Sequence, residues 1–331
     1  MSTMRDISKK SGYSLSTVSK VLSNDKNFNV TNKTRNIILE TAKELNYTYT
    51  TRKKLYNIGL IMPKSFEAYT DPFFTVVLSS IEKESKSLGM NITMILMGST
   101  LSNNISLYDR DLSALDGLII MDELTNEIMT YLGTLIKHII TIDFFTPKYT
   151  SVGFNHFLSN LAMMEHLINC GYKKIAYIGG STERYKIEEQ IQFMMYRESL
   201  INNNLEFNPN FVKDCKWDIS LCAKEVKSLL KNNEKPDAIF MASDNLAAVA
   251  LGIVNTLNLN CPEDIGIAGF NDIETSKHFV PSLTTVNIPI KDIGIIAANQ
   301  LIKQMKYDEN QIIEINVPFK LKSRNSTKKI I

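Results

Sequence analysis

A chain of 331 residues with 44% hydrophobic residues can bury a large core in two or three domains. Its net charge of +2 hides an uneven spread: residues 1–57 hold eleven Lys or Arg against four acids, leaving 26 basic and 31 acidic side chains elsewhere. A basic head on an acidic body suits phosphate contacts at one end. The start, Met-Ser-Thr-Met-Arg-Asp, has no apolar core of the secretory kind, and apolar runs such as 247–254 are far too short to span a bilayer. Cys170, Cys215, Cys222 and Cys261 are scattered, without zinc-ligand spacing. The expectation is a cytoplasmic protein with reduced thiols, no metal, no cofactor and no membrane partner.

The first pattern is a pair of short amphipathic segments joined at Gly12. Met4, Ile7 and Ser8 recur at helical spacing in one, and Leu15, Val18, Val21 and Leu22 in the other. A four-residue joint containing Gly between such segments is the build of a helix-turn-helix. Ser14 and Ser16 are both placed to cap the second helix, beside an approaching phosphate. Its polar side shows Leu15, Ser16, Ser19 and Lys20, small enough to enter a major groove. A third helix opens over Thr31, Asn32, Lys33 and Thr34, carries Ile37, Ile38, Thr41, Ala42 and Leu45 on one face, and stops at Asn46-Tyr47. These elements make a three-helix head over 1–47. Residues 48–57 are polar and basic with one large apolar side chain, Leu55, and read as a hinge or linker that orders on DNA.

From 58 onward the texture changes. Strands are expected at 58–62, 91–97, 117–121 and 139–143, with helices at 72–88 and 125–136. The pattern restarts with a helix at 155–170, a strand at 174–178 and a helix at 184–203. It continues with a helix at 219–231, a strand at 237–241, a helix at 245–257 and a strand at 265–268. A last helix, 290–305, precedes strands near 312–317 and 319–322. Strands alternating with helices imply parallel sheets with right-handed crossovers. The two runs predict an effector-binding and dimerisation domain over 58–331 with two lobes. Lobe 1 takes about 58–154 and 289–315, and lobe 2 about 155–288 and 316–331. Ligands in such sheets sit beyond the carboxyl ends of the strands.

Catalysis is not expected. Ile178-Gly179-Gly180-Ser181 follows a strand but lacks the spacing of a dinucleotide or P-loop motif. His138, His156, His166 and His278 show no paired Cys or carboxylate arrangement for a metal or a triad, and read as surface or satisfied core residues.

The chain resembles transcriptional regulators of the LacI/GalR type from Met4 to Thr327. The strongest element is Asp6-Ile7-Ser8, Ser11-Gly12 and Ser14-Leu15-Ser16-Thr17-Val18-Ser19-Lys20-Val21-Leu22, followed by Glu44-Leu45-Asn46-Tyr47. In the body the similar segments include Asp71-Pro72-Phe73-Phe74, Asp116-Gly117-Leu118-Ile119 and Gly171-Tyr172-Lys173-Lys174-Ile175-Ala176. Further ones are Ala242-Ser243-Asp244, Gly269-Phe270-Asn271-Asp272-Ile273, Pro281-Ser282-Leu283-Thr284-Thr285-Val286 and the ending from Leu321 to Thr327. The resemblance implies an α/β protein: a helix-turn-helix head plus a two-lobed, periplasmic-binding-protein-like body of parallel sheets.

It also implies roles. Leu15, Ser16 and Lys20 would face base edges, while Thr17, Ser19 and Asn24 would hold phosphates. Lys20 stands where Arg is more usual and lacks its bidentate fork. Leu55 is similar to the hinge leucine that wedges into a minor groove, although the Pro-Asn-x-x-Ala signature before it is replaced by Tyr49-Thr50-Thr51-Arg52-Lys53. The matching effector positions are Asp71, Phe74, Asp143, Glu189, Trp217, Ser243, Asp244 and Asn271. Carboxylates and amides suit sugar hydroxyls, and the lone Trp suits the apolar face of a pyranose. A core position for Trp217 and a helix-capping role for Asp244 are the plain alternatives. Glu189 stands where an Arg is usual, which argues against an anionic effector held there; Lys186, one turn earlier, is a candidate to take the place of that Arg, and the sequence leaves this open.

The implied function is a repressor of a sugar-utilisation operon. A homodimer would bind double-stranded DNA at a palindromic operator and leave it when a small neutral sugar binds. The alternative is a body that answers to a protein partner or a purine. The four residues after Thr327 are too few for a tetramerising bundle.

Overall fold

The computed structural model describes residues 2–23, 28–47, 54–63, 72–182, 185–309 and 311–330. Asn24, Asp71 and the linker residues 48–53 lie outside the described residues, so the expectations placed on them end there. The chain divides into two compact units, Met1–Leu55 and Tyr56–Ile331.

In the first unit, α1 (Met4–Ser11) starts with a reciprocal cap: Thr3 Oγ1 accepts from Asp6 N at 3.3 Å, and Asp6 Oδ2 accepts from Thr3 N at 2.8 Å. The helix ends at Gly12, whose φ of 77° is the left-handed conformation a glycine adopts without a Cβ penalty. Helix α2 (Leu15–Leu22) is capped by Ser14, whose Oγ accepts from Thr17 N at 3.1 Å. Ser16, also expected as a cap, lies inside the first turn. Helix α3 (Asn32–Glu44) is capped by Thr31. The apolar stripes of all three meet at Ile7, Val18, Val21, Ile38 and Ala42, all buried.

The second unit holds two parallel sheets. The first contains β1 (Tyr56–Met62), β2 (Met90–Met97), β3 (Gly117–Ile120), β4 (Ile139–Ile142), β5 (Thr150–Gly153) and β11 (Glu314–Asn316), in the order β11-β5-β4-β3-β1-β2. The second contains β6 (Ile175–Gly179), β7 (Val212–Asp214), β8 (Ala238–Met241) and β9 (Gly266–Ala268), in the order β7-β6-β8-β9. A short antiparallel pair, β10 (Thr285–Asn287) with β12 (Lys320–Lys322), completes the strands among the described residues. Strands β3, β4, β6 and β8 are buried along their whole length, as parallel strands covered on both faces require.

Helices supply the crossovers. They are α4 (Pro72–Leu88), α5 (Gly98–Asn104), α6 (Asp109–Leu112), α7 (Asn126–Leu135), α8 (His156–Asn169), α9 (Ile191–Asn202), α10 (Ile219–Lys231), α11 (Asp244–Thr256) and α12 (Ile290–Tyr307). The chain passes from the first sheet to the second after β5. It returns with α12, which packs on α4 and on β3, β4 and β5.

The elements depart from the sequence reading in four respects. Residues 98–112 are helical, which their composition did not announce, and β5, β7 and β10 are strands of three or four residues. The helix expected over 184–203 is interrupted. A 3₁₀ turn, Ile187–Glu189, precedes an extended Gln190 with ψ of 134°, and α9 starts only at Ile191. The turn is stapled by Glu189, whose Oε2 accepts from Lys186 N at 2.7 Å. The capping residue of α11 is Ser243, whose Oγ accepts from Leu246 N at 3.3 Å, and Asp244 is the first residue of the helix.

Candidate DNA-reading helix and ligand cleft

On α2, Val18 and Val21 are turned into the head core, which leaves Leu15, Ser16 and Lys20 exposed and Thr17 and Ser19 half-buried. Leu15 is 42% exposed, an apolar side chain free to meet a thymine methyl. The Lys20 ammonium rests over the ring of Phe28, 4.9 Å from its centroid, so its direction is set before any partner arrives. Leu55 is exposed at 60%.

In the second unit the carboxyl ends of the strands present a cluster of polar and aromatic groups. Asp143 follows β4, Phe154 and His156 follow β5, and Gly180 follows β6. Trp217 stands just beyond β7, Ser243 and Asp244 beyond β8, and Phe270 and Asn271 beyond β9. Three of these residues have left-handed backbones, Asp143 (φ 68°), Trp217 (60°) and Asn271 (102°), as does Lys216 (50°) beside Trp217. Such conformations cost about 1–3 kcal/mol each and gather at functional sites.

Trp217 is held by its neighbours. A Cβ on Gly180 would lie 2.4 Å from Trp217 Cδ1 and 2.5 Å from its backbone nitrogen, so only glycine permits this approach. Asp214 Oδ1 accepts from Ser181 N at 2.8 Å and Lys216 N at 2.9 Å, tying the loop to the end of β6. Burial works against the Asp214 charge, but these bonds and the Lys216 ammonium hold its carboxyl below the usual range. The indole is 36% exposed, so a core position does not describe it.

His156 corrects the reading of the histidines as lacking paired carboxylates. Its Nε2 lies 2.9 Å from Asp143 Oδ1, and its ring lies 4.0 Å from that of Phe154, which in turn contacts Phe270 at 6.1 Å. Burial pulls the imidazole pKa down, but the Asp143 charge and hydrogen bonds outweigh it and raise the pKa. Elsewhere His138 lies 3.7 Å from Asp308, and His166 Nε2 is bonded to Thr327 Oγ1 at 3.0 Å inside the core.

Asp244 is fully buried. Thr285 Oγ1 donates to its Oδ1 at 2.6 Å and Ile273 N to its Oδ2 at 2.8 Å, so both oxygens are occupied in holding the loop that carries Asn271. Burial pushes its pKa up to about 7, against the bonds from Thr285 and Ile273. Arg324 braces the same loop through Asp272, at 2.6 Å. Asn271 is fixed by its backbone to Val286 and Ile288, and its side-chain amide makes no hydrogen bond among the described residues.

Glu189 is exposed and spent on its own turn, and Lys186 is exposed beside it. Phe74 is half-buried, edge-on to Phe73 at 5.1 Å. Tyr185 Oη donates to Glu123 Oε1 at 2.7 Å, joining the segment after β6 of the second sheet to the segment after β3 of the first. A separate groove of about 670 Å³ runs beside α9, lined by Phe193, Met194, Arg197, Phe207 and Asp214. Its lining takes nothing from the first sheet and shares Asp214 with the loop that carries Trp217.

Comparison with known proteins places both units. Residues 3–49 match the family described as bacterial regulatory proteins, lacI family, and residues 164–327 match a periplasmic binding protein-like domain. The HTH-type transcriptional repressor PurR of Aliivibrio salmonicida is 29% identical, covering 96% of each chain. The ribose operon repressor of Haemophilus influenzae is 25% identical over 92% of each. Among solved structures, a complex of the transcriptional regulator CelR with cellobiose superposes with a TM-score of 0.70 at 19% identity, covering 98% of this chain and all of that one, a likeness of fold.

Proposed function

Since this chain belongs to the lacI family of bacterial regulatory proteins and is a DNA-binding repressor, not an enzyme, we propose that it represses a sugar-utilisation operon from a palindromic operator. In this reading it acts in the cytoplasm as a homodimer, because two half-sites need two heads. It leaves the operator when a small neutral sugar fills the strand-end cleft. The observation that carries the ligand part is the half-exposed Trp217 together with the Asn271 amide, unbonded among the described residues, and the His156–Asp143 pair. An apolar ring face with a few fixed polar groups is how small polyhydroxyl ligands are gripped.

A purine is the second reading. It is favoured by the likeness to PurR along 96% of the chain and by the aromatic content of the cleft, which suits a flat base as well as a pyranose. Switching the operator-bound population from nearly full to nearly empty takes a differential affinity of about 5 kcal/mol for either ligand. Calorimetric titration with neutral sugars and with hypoxanthine separates the two, because heat from hypoxanthine alone would overturn the sugar reading. Trp217→Ala is expected to abolish the effector response while operator binding persists. An unchanged response would remove Trp217 from the pocket.

A further inference from the structure

We propose that His156 is a specificity-determining residue of the cleft, and that the His156–Asp143 couple selects an uncharged ligand by reading two neighbouring hydroxyls. The proposal rests on the reading of the strand-end cleft as the effector site.

The couple stands where ligands of open parallel sheets are bound, beyond β4 and β5. The two side chains remain 31% and 28% exposed although paired, so they are not sealed into the core. The pairing engages one ring nitrogen and one carboxylate oxygen, and the second of each is what a ligand would meet. Phe154 lies 4.0 Å behind the imidazole and is itself backed by Phe270, which fixes the ring direction before binding.

Charge decides the ligand class. With Asp143 Oδ1 in contact with His156 Nε2, the imidazole is not a free cation for a phosphate and the carboxylate is not a free anion for an amine. The N-terminus of α8 is satisfied separately, by Asn155 Oδ1, which accepts from Leu158 N at 2.9 Å. What remains is the second carboxylate oxygen beside the second ring nitrogen. Adjacent hydroxyls match it, because a hydroxyl both donates and accepts. A site built this way rejects a ligand lacking the hydroxyl more strongly than an apolar pocket could, because its own polar groups would be left unpaired.

The test uses the full-length protein and a fixed panel: D-ribose, D-galactose and cellobiose, their deoxy analogues, ribose 5-phosphate and hypoxanthine. A neutral sugar is expected to bind, with affinity at least about tenfold lower in His156→Ala and largely restored in His156→Gln. Deleting the hydroxyl read by the couple is expected to weaken binding to the wild type but not to His156→Ala, the coupling a merely structural residue would not show. Unaltered operator binding by His156→Ala without ligand establishes that the variant is folded. Equal sugar affinity in wild type and His156→Ala overturns the proposal. Binding of ribose 5-phosphate or hypoxanthine in place of a sugar also overturns it, yet leaves the cleft as the effector site. No binding by any member of the panel counts against both.

Discussion

The head and the body are stabilised on different scales. In the head, the fully buried apolar side chains among the described residues are Ile7, Val18, Val21, Ile38 and Ala42. In the body, one continuous cluster runs from Tyr56 through both sheets to Val317. Each buried aliphatic side chain contributes about 1.5–3 kcal/mol, so the head has little margin and the body has much. The surfaces differ as well. The head shows its partner one exposed helix face, built from consecutive residues. The strand-end cluster gathers groups more than a hundred residues apart in sequence, from Asp143 to Asn271. The two readouts should therefore separate under mutation, with the head failing by unfolding and the cleft by loss of alignment.

The largest expected effect tests that separation. Ile38→Ala leaves a cavity in the small core and is expected to cost about 2–5 kcal/mol, enough to unfold the head. Operator binding should vanish while the calorimetric transition of the body stays in place. A fall of the body transition by a similar amount would show that the units are not independent.

The next effect lies under the cleft. Asp244→Ala strands the Ile273 N–H and the Thr285 hydroxyl in a buried place, at about 1–3 kcal/mol for each group left unsatisfied. Asp244→Asn can keep both bonds, with the amide oxygen toward Ile273 and the amide nitrogen toward Thr285. The pH dependence gives a sharper contrast. Because burial holds the folded pKa near 7, above the ordinary 3.8, the folded state keeps a proton that the unfolded state has released. The stability this group contributes is full below about 4 and is lost as pH rises to about 7. Denaturant melts across that window should show this fall in the wild type and its absence in Asp244→Asn. Equal slopes would mean that Asp244 is ionised in the folded protein.

The smallest effect belongs to the exposed face of α2. Lys20→Ala is expected to cost about 1 kcal/mol and to relax preference at one operator position. A uniform loss across operator variants would instead make Lys20 a phosphate contact.

This difference in construction also governs what the sequence disclosed. The head was legible because Ile7, Val18, Val21 and Ile38 lie at helical spacing and its caps are next-door residues. The long apolar strands were legible too. Strand β7, Val-Lys-Asp, carries no apolar run and is made by pairing with β6 alone. The break at Gln190 depends on the Glu189 side chain turning back on Lys186, which no periodicity reports. At the strand ends, resemblance marks Trp217 and Asn271. Spacing does not mark His156, because its partner lies 13 residues away, across β5. The signal in the sequence is that Asp143 ends an expected strand while His156 lies at the start of the next expected helix, 155–170. Resemblance gives Asp244 to the ligand, but its oxygens are taken by groups 29 and 41 residues downstream.

The most direct measurement of the central claim is selection of DNA by the full-length protein from a random duplex library, followed by sequencing. The account predicts enrichment of a twofold-symmetric motif of two half-sites, bound with an affinity that falls linearly with salt on logarithmic axes. Enrichment of no motif, or of an asymmetric one, would contradict it.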